Sequence, residues 1–205
     1  MTKIKICGLT REEDALLAAN LGADFLGFVF VEESPRCVEP ETVARIAERV
    51  RATNGATKIV GVFRNAAPGR VREIAARATL DLVQLQGTET NDDIEAIGLP
   101  AIKAIQIADT APETNKHPAA SWLLFDTYDE RRSGGTGRCF DWSHLAGYDR
   151  ARPFLLAGGI TPENAAAAIS AARPDAIDLA SGVESAPGIK DNRKLELLFE
   201  RVKNA

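Results

Sequence analysis

The sequence predicts an α/β fold, a single-domain (β/α)8 (TIM) barrel over residues 1–205, and three observations lead to it. Eight short apolar segments alternate along the chain with helical or helix-length segments. No linker-like tract interrupts this alternation. Several predicted strands end in glycine or in a thiol, amide or carboxyl group, as strands do where a barrel carries its active site. A doubly wound open sheet would show the same alternation and is the alternative fold.

The first predicted strand ends on a thiol, Cys7, and Gly8 then breaks it. Apolar and polar residues alternate before the break, so Lys5 and Cys7 lie on one face of the strand and the isoleucines on the other. Thr10 is the expected N-cap of a helix over residues 11–21, with a capping-box acid three residues later. The strand therefore presents Cys7 at its C-terminal end, beside a lysine on the same face.

The other seven strands follow from apolar runs that are bounded by turn residues. We expect them at residues 25–30, 58–63, 81–86, 101–107, 121–126, 153–157 and 176–180. Helices are expected at residues 40–52, 69–78, 89–97 and 191–202, from Thr161-Pro162, and briefly from residue 142. The stretch 108–120 carries two prolines and indicates a loop or a degenerate helix.

Charge and hydropathy exclude two classes of partner. The chain has 25 basic and 29 acidic residues and a net charge of -4, whereas a nucleic-acid-binding protein would show a basic footprint. No segment approaches the roughly 18 uninterrupted apolar residues of a membrane helix, and the N-terminus does not resemble a signal peptide. We therefore expect neither a nucleic-acid nor a membrane partner.

The cysteines and histidines indicate a reduced protein without a metal. Cys7, Cys37 and Cys139 are widely separated and form no paired framework, so reduced thiols in the cytoplasm are the simplest interpretation. His117 and His144 are far apart and neither lies at a strand end, so we expect no metal site.

Two glycine turns follow the last two strands, Gly158-Gly159 after the seventh and Ser181-Gly182 after the eighth. Backbone N–H groups at these two positions form the common phosphate site of barrel enzymes. Either turn alone would be unremarkable, because glycine often follows a strand simply to make a turn. Their presence at both positions predicts a site for the phosphate group of a small-molecule ligand.

Cys7 is a candidate base, although a free cysteine is more often a small buried hydrophobic residue. A thiol acts as a base only as the thiolate, and lowering its pKa from about 8.5 to about 7 requires roughly 2 kcal/mol of stabilisation, which a nearby cation can supply. We expect Lys5 to point into the barrel, to pair with Asp178 of the adjacent eighth strand, and to provide this positive potential below Cys7.

Two charged side chains complete the candidate set. Asp126 ends an apolar strand, where partial desolvation would raise its pKa toward that of a working acid; a turn or cap aspartate is the alternative. Arg36 follows Pro35 in a rigid loop and is placed to hold an anion by a bidentate contact, with a solvated surface arginine as the alternative. The glycine-rich stretch 134–137 is either a lid or a slack connection.

Taken together, these stretches closely resemble the phosphoribosylanthranilate isomerase family of tryptophan biosynthesis, nearly from end to end. The resemblance is carried by Lys5-Ile6-Cys7-Gly8-Leu9-Thr10, Leu26-Gly27-Phe28-Val29-Phe30, Ser34-Pro35-Arg36, Val60-Gly61-Val62-Phe63, Val83-Gln84-Leu85-Gln86-Gly87, Leu124-Phe125-Asp126, residues 134–142, Ala157-Gly158-Gly159-Ile160, Ser181-Gly182-Val183-Glu184 and Gly188-Ile189-Lys190-Asp191. The first and the last of these segments are highly specific.

The resemblance implies an Amadori rearrangement without a cofactor, an aldose-ketose isomerisation of the intramolecular oxidoreductase class. N-(5'-phosphoribosyl)anthranilate, an aminoaldose, would become the aminoketose 1-(2-carboxyphenylamino)-1-deoxyribulose 5-phosphate. The resemblance also implies that Asp126 is the general acid that protonates the furanose ring oxygen and that Cys7 is the general base that removes the C2' proton. Arg36 would hold the anthranilate carboxylate, and the two glycine turns would hold the phosphate. No partner protein is implied, and we expect a monomer or a homodimer.

One position departs from the family. The family usually has Leu-His-Gly after the fourth strand, and this chain has Leu85-Gln86-Gly87. Gln86 keeps a donor and an acceptor but cannot become a cation. Two other functions stay open: the related isomerase of histidine biosynthesis, which would carry aspartate in place of Cys7, and a non-catalytic phosphate-binding barrel in which Cys7 is inert.

Overall fold

Eight parallel strands close into a barrel in the computed structural model of this protein, which describes residues 1–107, 116–127, 141–145, 148 and 150–203. The strands are β1 (Lys3–Ile6), β2 (Phe25–Val29), β3 (Lys58–Phe63), β4 (Leu82–Leu85), β5 (Ala101–Ile107), β6 (Trp122–Thr127), β7 (Phe154–Leu156) and β8 (Ala176–Leu179). Closure comes from β1, which pairs in parallel with both β2 and β8. The (β/α)8 barrel prediction is therefore confirmed, and the open sheet is excluded.

Helices follow most of the strands and cover the outside of the barrel. They are α1 (Glu12–Leu21), α2 (Pro40–Thr53), α3 (Pro68–Arg77), α4 (Asn91–Ile97), α5 (Ala165–Ala172) and α6 (Asn192–Lys203), with short 3-10 helices at Trp142–Leu145 and Ser181–Val183. Among the described helices, none is both long and apolar enough to cross a membrane. Residues 108–115 of the predicted loop, the glycine-rich stretch 134–137 and Cys139 lie outside the described residues.

The alternation of side chains along the strands creates two separate apolar cores. Outward-facing residues such as Ile6 and Phe28 join a large buried cluster with helix residues such as Ala15 and Val43. Inward-facing residues of alternate positions form a smaller cluster inside the barrel: Phe25, Val60, Leu82, Ile102, Ala104, Leu124, Leu155, Ala157 and Ala176. The two-residue period thus turns Lys5 and Cys7 toward the barrel axis.

Two predicted helix starts are wrong. The N-cap of α1 is Arg11 and makes no side-chain cap hydrogen bond, while the Thr10 hydroxyl donates to the carbonyl of Gly188 at 2.6 Å. The helix expected from Thr161-Pro162 begins only at Ala165; the Thr161 carbonyl accepts from the N–H of both Asn164 and Ala165, so residues 161–164 form a tight turn that leads into the helix. At Thr10 the hydrogen bond to Gly188 thus overrides the local capping preference.

A two-stranded hairpin after β8 is absent from the sequence prediction. It comprises β9 (Glu184–Ala186) and β10 (Ile189–Lys190), which pair antiparallel around Gly188 with a φ of +81°. The hairpin contacts the segment that follows β1: the Lys190 N–H donates to Asp14 at 3.0 Å, and Gly188 accepts from the Thr10 hydroxyl. It therefore bridges the chain after the eighth strand to the chain after the first.

Candidate active site

The C-terminal ends of the strands bring the predicted thiol into the barrel mouth. Cys7 follows β1 directly, its N–H donates to Leu179 at the end of β8, and the residue is 7% exposed. Its thiol lies over Gly27 of β2, where an added Cβ would be 2.8 Å from Cys7 Sγ and 3.0 Å from Lys5 Nζ. Glycine at position 27 thus leaves the space that the thiol and the lysine occupy.

The predicted pair of Lys5 and Asp178 is confirmed. Lys5 is fully buried inside the barrel, and its Nζ lies 2.9 Å from Asp178 Oδ1 of the neighbouring β8. Burial alone would lower the pKa of Lys5, but the negative charge of Asp178, joined by that of Cys7 when the thiol is ionised, outweighs it and the pKa is raised. Lys5 is accordingly a cation at neutral pH.

The expected lowering of the Cys7 pKa is wrong. Burial raises the pKa of the thiol, and the positive charge of Lys5 offsets this only in part; Asp178 raises the pKa further and Lys190 lowers it. Lys5 is already paired with Asp178, so its positive charge only partly stabilises the Cys7 thiolate. The desolvation cost of the buried thiolate therefore dominates and raises the pKa. Cys7 is therefore a neutral thiol at rest.

The expectation that burial raises the pKa of Asp126 is confirmed. Its carboxyl group is 8% exposed near the end of β6, and burial raises its pKa to about 6. The negative charge of Asp178 adds to the shift, while hydrogen bonds from the Thr127 backbone, at 2.9 Å, and from the Gln106 side chain oppose it. A carboxyl group of this pKa exists in both protonation states near neutral pH, as a general acid requires.

Arg36 is positioned by a tight turn after β2. Its N–H donates to the Ser34 hydroxyl at 3.1 Å, and the next residue, Cys37, bridges back to Val29 of β2. The guanidinium makes the expected bidentate contact, but with Glu184 of the hairpin: Nε to Oε1 is 2.9 Å and Nη2 to Oε2 is 2.6 Å. The surface alternative is wrong, since the side chain is only 19% exposed.

The two glycine turns lie against each other. Gly158 and Gly159 have φ values of +84° and +68°, which glycine adopts without strain. An added Cβ at Gly158 would be 2.2 Å from Thr127 Oγ1, and one at Gly182 would be 2.0 Å from the carbonyl oxygen of Ile160. The turn after β8 therefore packs on the turn after β7, which packs on the end of β6 beside Asp126.

Gln86 lies just past β4, where its N–H donates to the carbonyl of Phe63 at 2.9 Å. Its side-chain Oε1 is buried and finds no hydrogen-bond partner within the described part of the chain. A buried acceptor without a donor is costly. A hydroxyl or N–H of a bound ligand would satisfy it without any need for positive charge at this position.

Three residues of the site were given no role by the sequence analysis. Gly27 carries a recognisable signal, since a glycine inside an apolar strand often marks a close approach by another group. Glu184 and Lys190 lie in segments that carry the family resemblance, but the residue pattern gives no sign of their contacts because it does not reveal the hairpin.

Lys5→Met is expected to raise the pKa of the Cys7 thiol, since it removes the cation that favours the thiolate. The pH dependence of iodoacetamide alkylation, followed on the Cys7 peptide by mass spectrometry, measures this. Lys3→Met is the matched control: Lys3 lies on the same face of β1 but at its other end, over the ring of Trp122. An unchanged thiol pKa in Lys5→Met would refute the role given to Lys5.

Comparisons with known proteins identify the family. Residues 4–201 match the family model of N-(5'phosphoribosyl)anthranilate (PRA) isomerase. The chain is 42% identical over 204 residues to the N-(5'-phosphoribosyl)anthranilate isomerase of Geobacter metallireducens, with 99% of this chain and 100% of the relative covered. The crystal structure of the Thermus thermophilus enzyme superposes with a TM-score of 0.89 at 40% identity, covering 99% of both chains.

A second solved structure, the phosphoribosyl anthranilate isomerase of Thermotoga maritima, superposes with a TM-score of 0.89 at 35% identity, and both chains are covered completely. The match with the family model and the full-length identity of over 40% to a relative go well beyond a shared barrel architecture. This chain belongs to the N-(5'-phosphoribosyl)anthranilate isomerase family of tryptophan biosynthesis.

Proposed function

We propose that the isomerisation of N-(5'-phosphoribosyl)anthranilate, the activity of the family, is carried in this chain by Asp126 as general acid and Cys7 as general base. The observation that supports these roles most strongly is electrostatic. Asp126 and Cys7 are both buried at the barrel mouth, and the pKa of each responds to the same Lys5–Asp178 pair inside the barrel. A reaction with two proton transfers on one sugar requires an acid and a base close to each other, and a shared ion pair places both groups near the same point.

The proposed steps use each group once. Protonated Asp126 gives its proton to the furanose ring oxygen, the C1'–O bond breaks, and the aminoaldose opens to a protonated Schiff base. The Cys7 thiolate then removes the C2' proton, and the electron pair moves to neutralise the iminium nitrogen. The resulting enolamine tautomerises to the aminoketose. Since Cys7 is a neutral thiol at rest, it loses a proton before it acts, and Lys5 and Lys190 are the cations that favour the thiolate.

Two anionic groups of the substrate need recognition. Arg36 is proposed to hold the anthranilate carboxylate. Glu184 accepts from its Nε and Nη2, whereas its Nη1 makes no hydrogen bond within the described residues and can donate to a second anion. The joined turns at Gly158-Gly159 and Ser181-Gly182 are proposed to hold the phosphate through backbone N–H groups. A relative that is 34% identical was solved with reduced 1-(O-carboxyphenylamino)-1-deoxyribulose 5-phosphate, a ligand that carries both groups.

The reaction is also proposed to need no cofactor, because the substrate oxidises its own C2' while it reduces C1'. The chain is proposed to be a cytoplasmic monomer or homodimer with no nucleic-acid partner. The dimeric phosphoribosylanthranilate isomerase of Thermotoga maritima, 34% identical to this chain, has been solved as monomers generated from it, and light scattering on the purified protein would decide between the two states here.

Loss of phosphoribosylanthranilate fluorescence on addition of the purified protein tests the activity directly. We expect turnover without added metal or cofactor. The aminoaldose substrate of histidine biosynthesis is the control, because preferential turnover of that compound would favour the related isomerase instead. A folded protein that binds the substrate but turns over neither compound would favour the non-catalytic barrel.

Arg36→Ala is expected to raise KM more than it lowers kcat, by a factor that corresponds to about 1.5 to 3 kcal/mol for a hydrogen bond to a charged group. The physical reason is that the carboxylate is bound equally in the substrate and in the transition state. Steady-state kinetics measure the two constants separately. Equal losses in kcat and kcat/KM would instead place the Arg36 contact in the transition state.

A further inference from the structure

The hairpin after β8 contributes Glu184 and Lys190 to a buried chain of charges, in which the mechanism above gives Glu184 no role and Lys190 only its charge. Glu184 accepts from Arg36 through both carboxylate oxygens, at 2.9 and 2.6 Å. Its Oε1 also accepts from Lys190 Nζ at 2.8 Å and from the Gly188 N–H at 3.2 Å. The side chain of Glu184 is 5% exposed and that of Lys190 is fully buried. Arg36, Glu184 and Lys190 thus form one continuous network inside the protein.

Lys190 connects this network to the backbone of Cys7, the proposed base. Its ammonium group donates to the carbonyl oxygen of Cys7 at 2.6 Å and to that of Ala180, beside the glycine turn after β8, at 3.2 Å. With Glu184 as the third acceptor, all three N–H donors of Lys190 are directed at fixed groups. The lysine therefore joins the ends of β1 and β8 and the hairpin at a single point.

At the other end of the network, Glu184 fixes the orientation of the Arg36 guanidinium. The Arg36 side chain crosses directly over Gly8, where an added Cβ would lie 2.5 Å from Arg36 Cδ. Its stem therefore has open space only because residue 8 is glycine, and nothing but Glu184 is found to fix the head of the side chain within the described residues. A bidentate carboxylate holds a guanidinium in one plane, which a single hydrogen bond does not.

We infer that Glu184 and Lys190 are positioning residues of the isomerase: Glu184 sets the plane of the Arg36 guanidinium for the substrate carboxylate, and Lys190 fixes the backbone of Cys7 for the proton transfer. This inference rests on the roles proposed above for Arg36 and Cys7. The two residues should differ in their kinetic effects: Glu184 acts through substrate binding and should change KM, whereas Lys190 acts on the chemical step and should change kcat.

Glu184→Gln tests the first half. We expect KM to rise roughly tenfold and kcat to change less than about threefold, since glutamine keeps the shape but offers one acceptor oxygen to Arg36. Because Glu184 acts through Arg36, the combined Arg36→Ala and Glu184→Gln variant should have a KM within about twofold of Arg36→Ala alone. Multiplied effects in the combined variant, or an unchanged KM in Glu184→Gln, would overturn the inference while leaving the role of Arg36 intact. A wild-type KM in Arg36→Ala would overturn both.

Lys190→Met tests the second half. We expect kcat to fall at least roughly tenfold with little change in KM, and the alkylation profile of Cys7 to move to higher pH because a cation is lost near the thiol. Lys194→Met is the matched control, because Lys194 donates to the backbone carbonyl of the same Glu184 at 2.8 Å but reaches neither its carboxylate nor Cys7. Its kcat should stay within about twofold of wild type.

Lys190→Met leaves Glu184 without one of its cations and can fail to fold for that reason alone. The combined Glu184→Gln and Lys190→Met variant removes both of these charges together, and the charge that remains in the network, the Arg36 guanidinium, is 19% exposed and within reach of water. It should fold, as judged by a cooperative thermal transition, and still show both the raised KM and the lowered kcat. A folded combined variant with wild-type kcat would overturn the role of Lys190.

Discussion

Asp126→Asn is expected to lower kcat by roughly 10² to 10⁴-fold, the usual contribution of a positioned general acid. Asparagine keeps the oxygen that accepts from the Thr127 N–H but has no acidic proton to give to the ring oxygen. Steady-state turnover of phosphoribosylanthranilate measures the loss. Asp24→Asn is the matched control, because Asp24 also accepts from a backbone N–H, that of Ile4 at 2.9 Å, but at the opposite end of the barrel. Comparable losses in the two variants would remove the special role of Asp126.

The same substitution should change the pH profile in a defined way. Above about pH 6 the protonated fraction of Asp126 falls tenfold per pH unit, while below the raised thiol pKa the thiolate fraction of Cys7 rises by the same factor. The two trends cancel, so we expect wild-type kcat/KM to rise to about pH 6 and then to stay level up to the thiol pKa. In Asp126→Asn the residual kcat/KM should keep rising to the thiol pKa.

Asp126→Asn should also make the folded protein more stable near neutral pH. The folded pKa of about 6 lies above the ordinary value of 3.8, so between these values the folded state binds more protons than the unfolded state. The free energy of unfolding therefore falls as pH rises through this window, and at neutral pH the ionised carboxylate is a net cost. Asparagine removes that cost, which is on the order of 3 kcal/mol for a shift of this size. Urea denaturation should show the gain near neutral pH and not at pH values below the window.

Cys7→Ala is expected to lower kcat by roughly 10² to 10⁴-fold with little effect on KM, since the thiol removes a proton and does not contribute to the two anion sites. The fluorescence assay used for the wild type measures this. Cys37→Ala is the control, because Cys37 is the other described free cysteine and is exposed. If Cys7→Ala hardly changes kcat, the isomerase assignment stands and another group is the base.

Much of the site follows from the sequence because strand periodicity is a strong constraint. The alternation in β1 turns Lys5 and Cys7 inward, and the parallel closure of the barrel then places Asp178 opposite Lys5. Asp126 and the two glycine turns lie where strands end, and that edge is common to all eight strands. These predictions needed only the order and the period of the strands.

The features that the sequence did not predict depend on contacts between distant segments. The capping preference of Thr10 is overridden by a carbonyl 178 residues away. The direction of the Cys7 pKa depends on how completely the thiol is buried and on how much of the Lys5 charge Asp178 already uses. Glu184 and Lys190 resemble ordinary charged residues until the hairpin brings them to Arg36 and Cys7. The local residue pattern does not show how burial, ion pairing and contacts with distant segments offset one another.

The buried Lys5–Asp178 pair sets up a conflict between heat resistance and catalysis. Removing two charges from water into a barrel interior costs more than their attraction returns in many proteins, and well-packed apolar replacements of both residues often stabilise the fold by about 1 to 4 kcal/mol. A laboratory selection for survival at high temperature alone would therefore favour loss of the pair, although either single substitution on the way is destabilising. Both charges would persist through such a selection only if growth depended on tryptophan synthesis at every round. Each surviving variant would then have been selected for isomerase activity as well as for heat resistance.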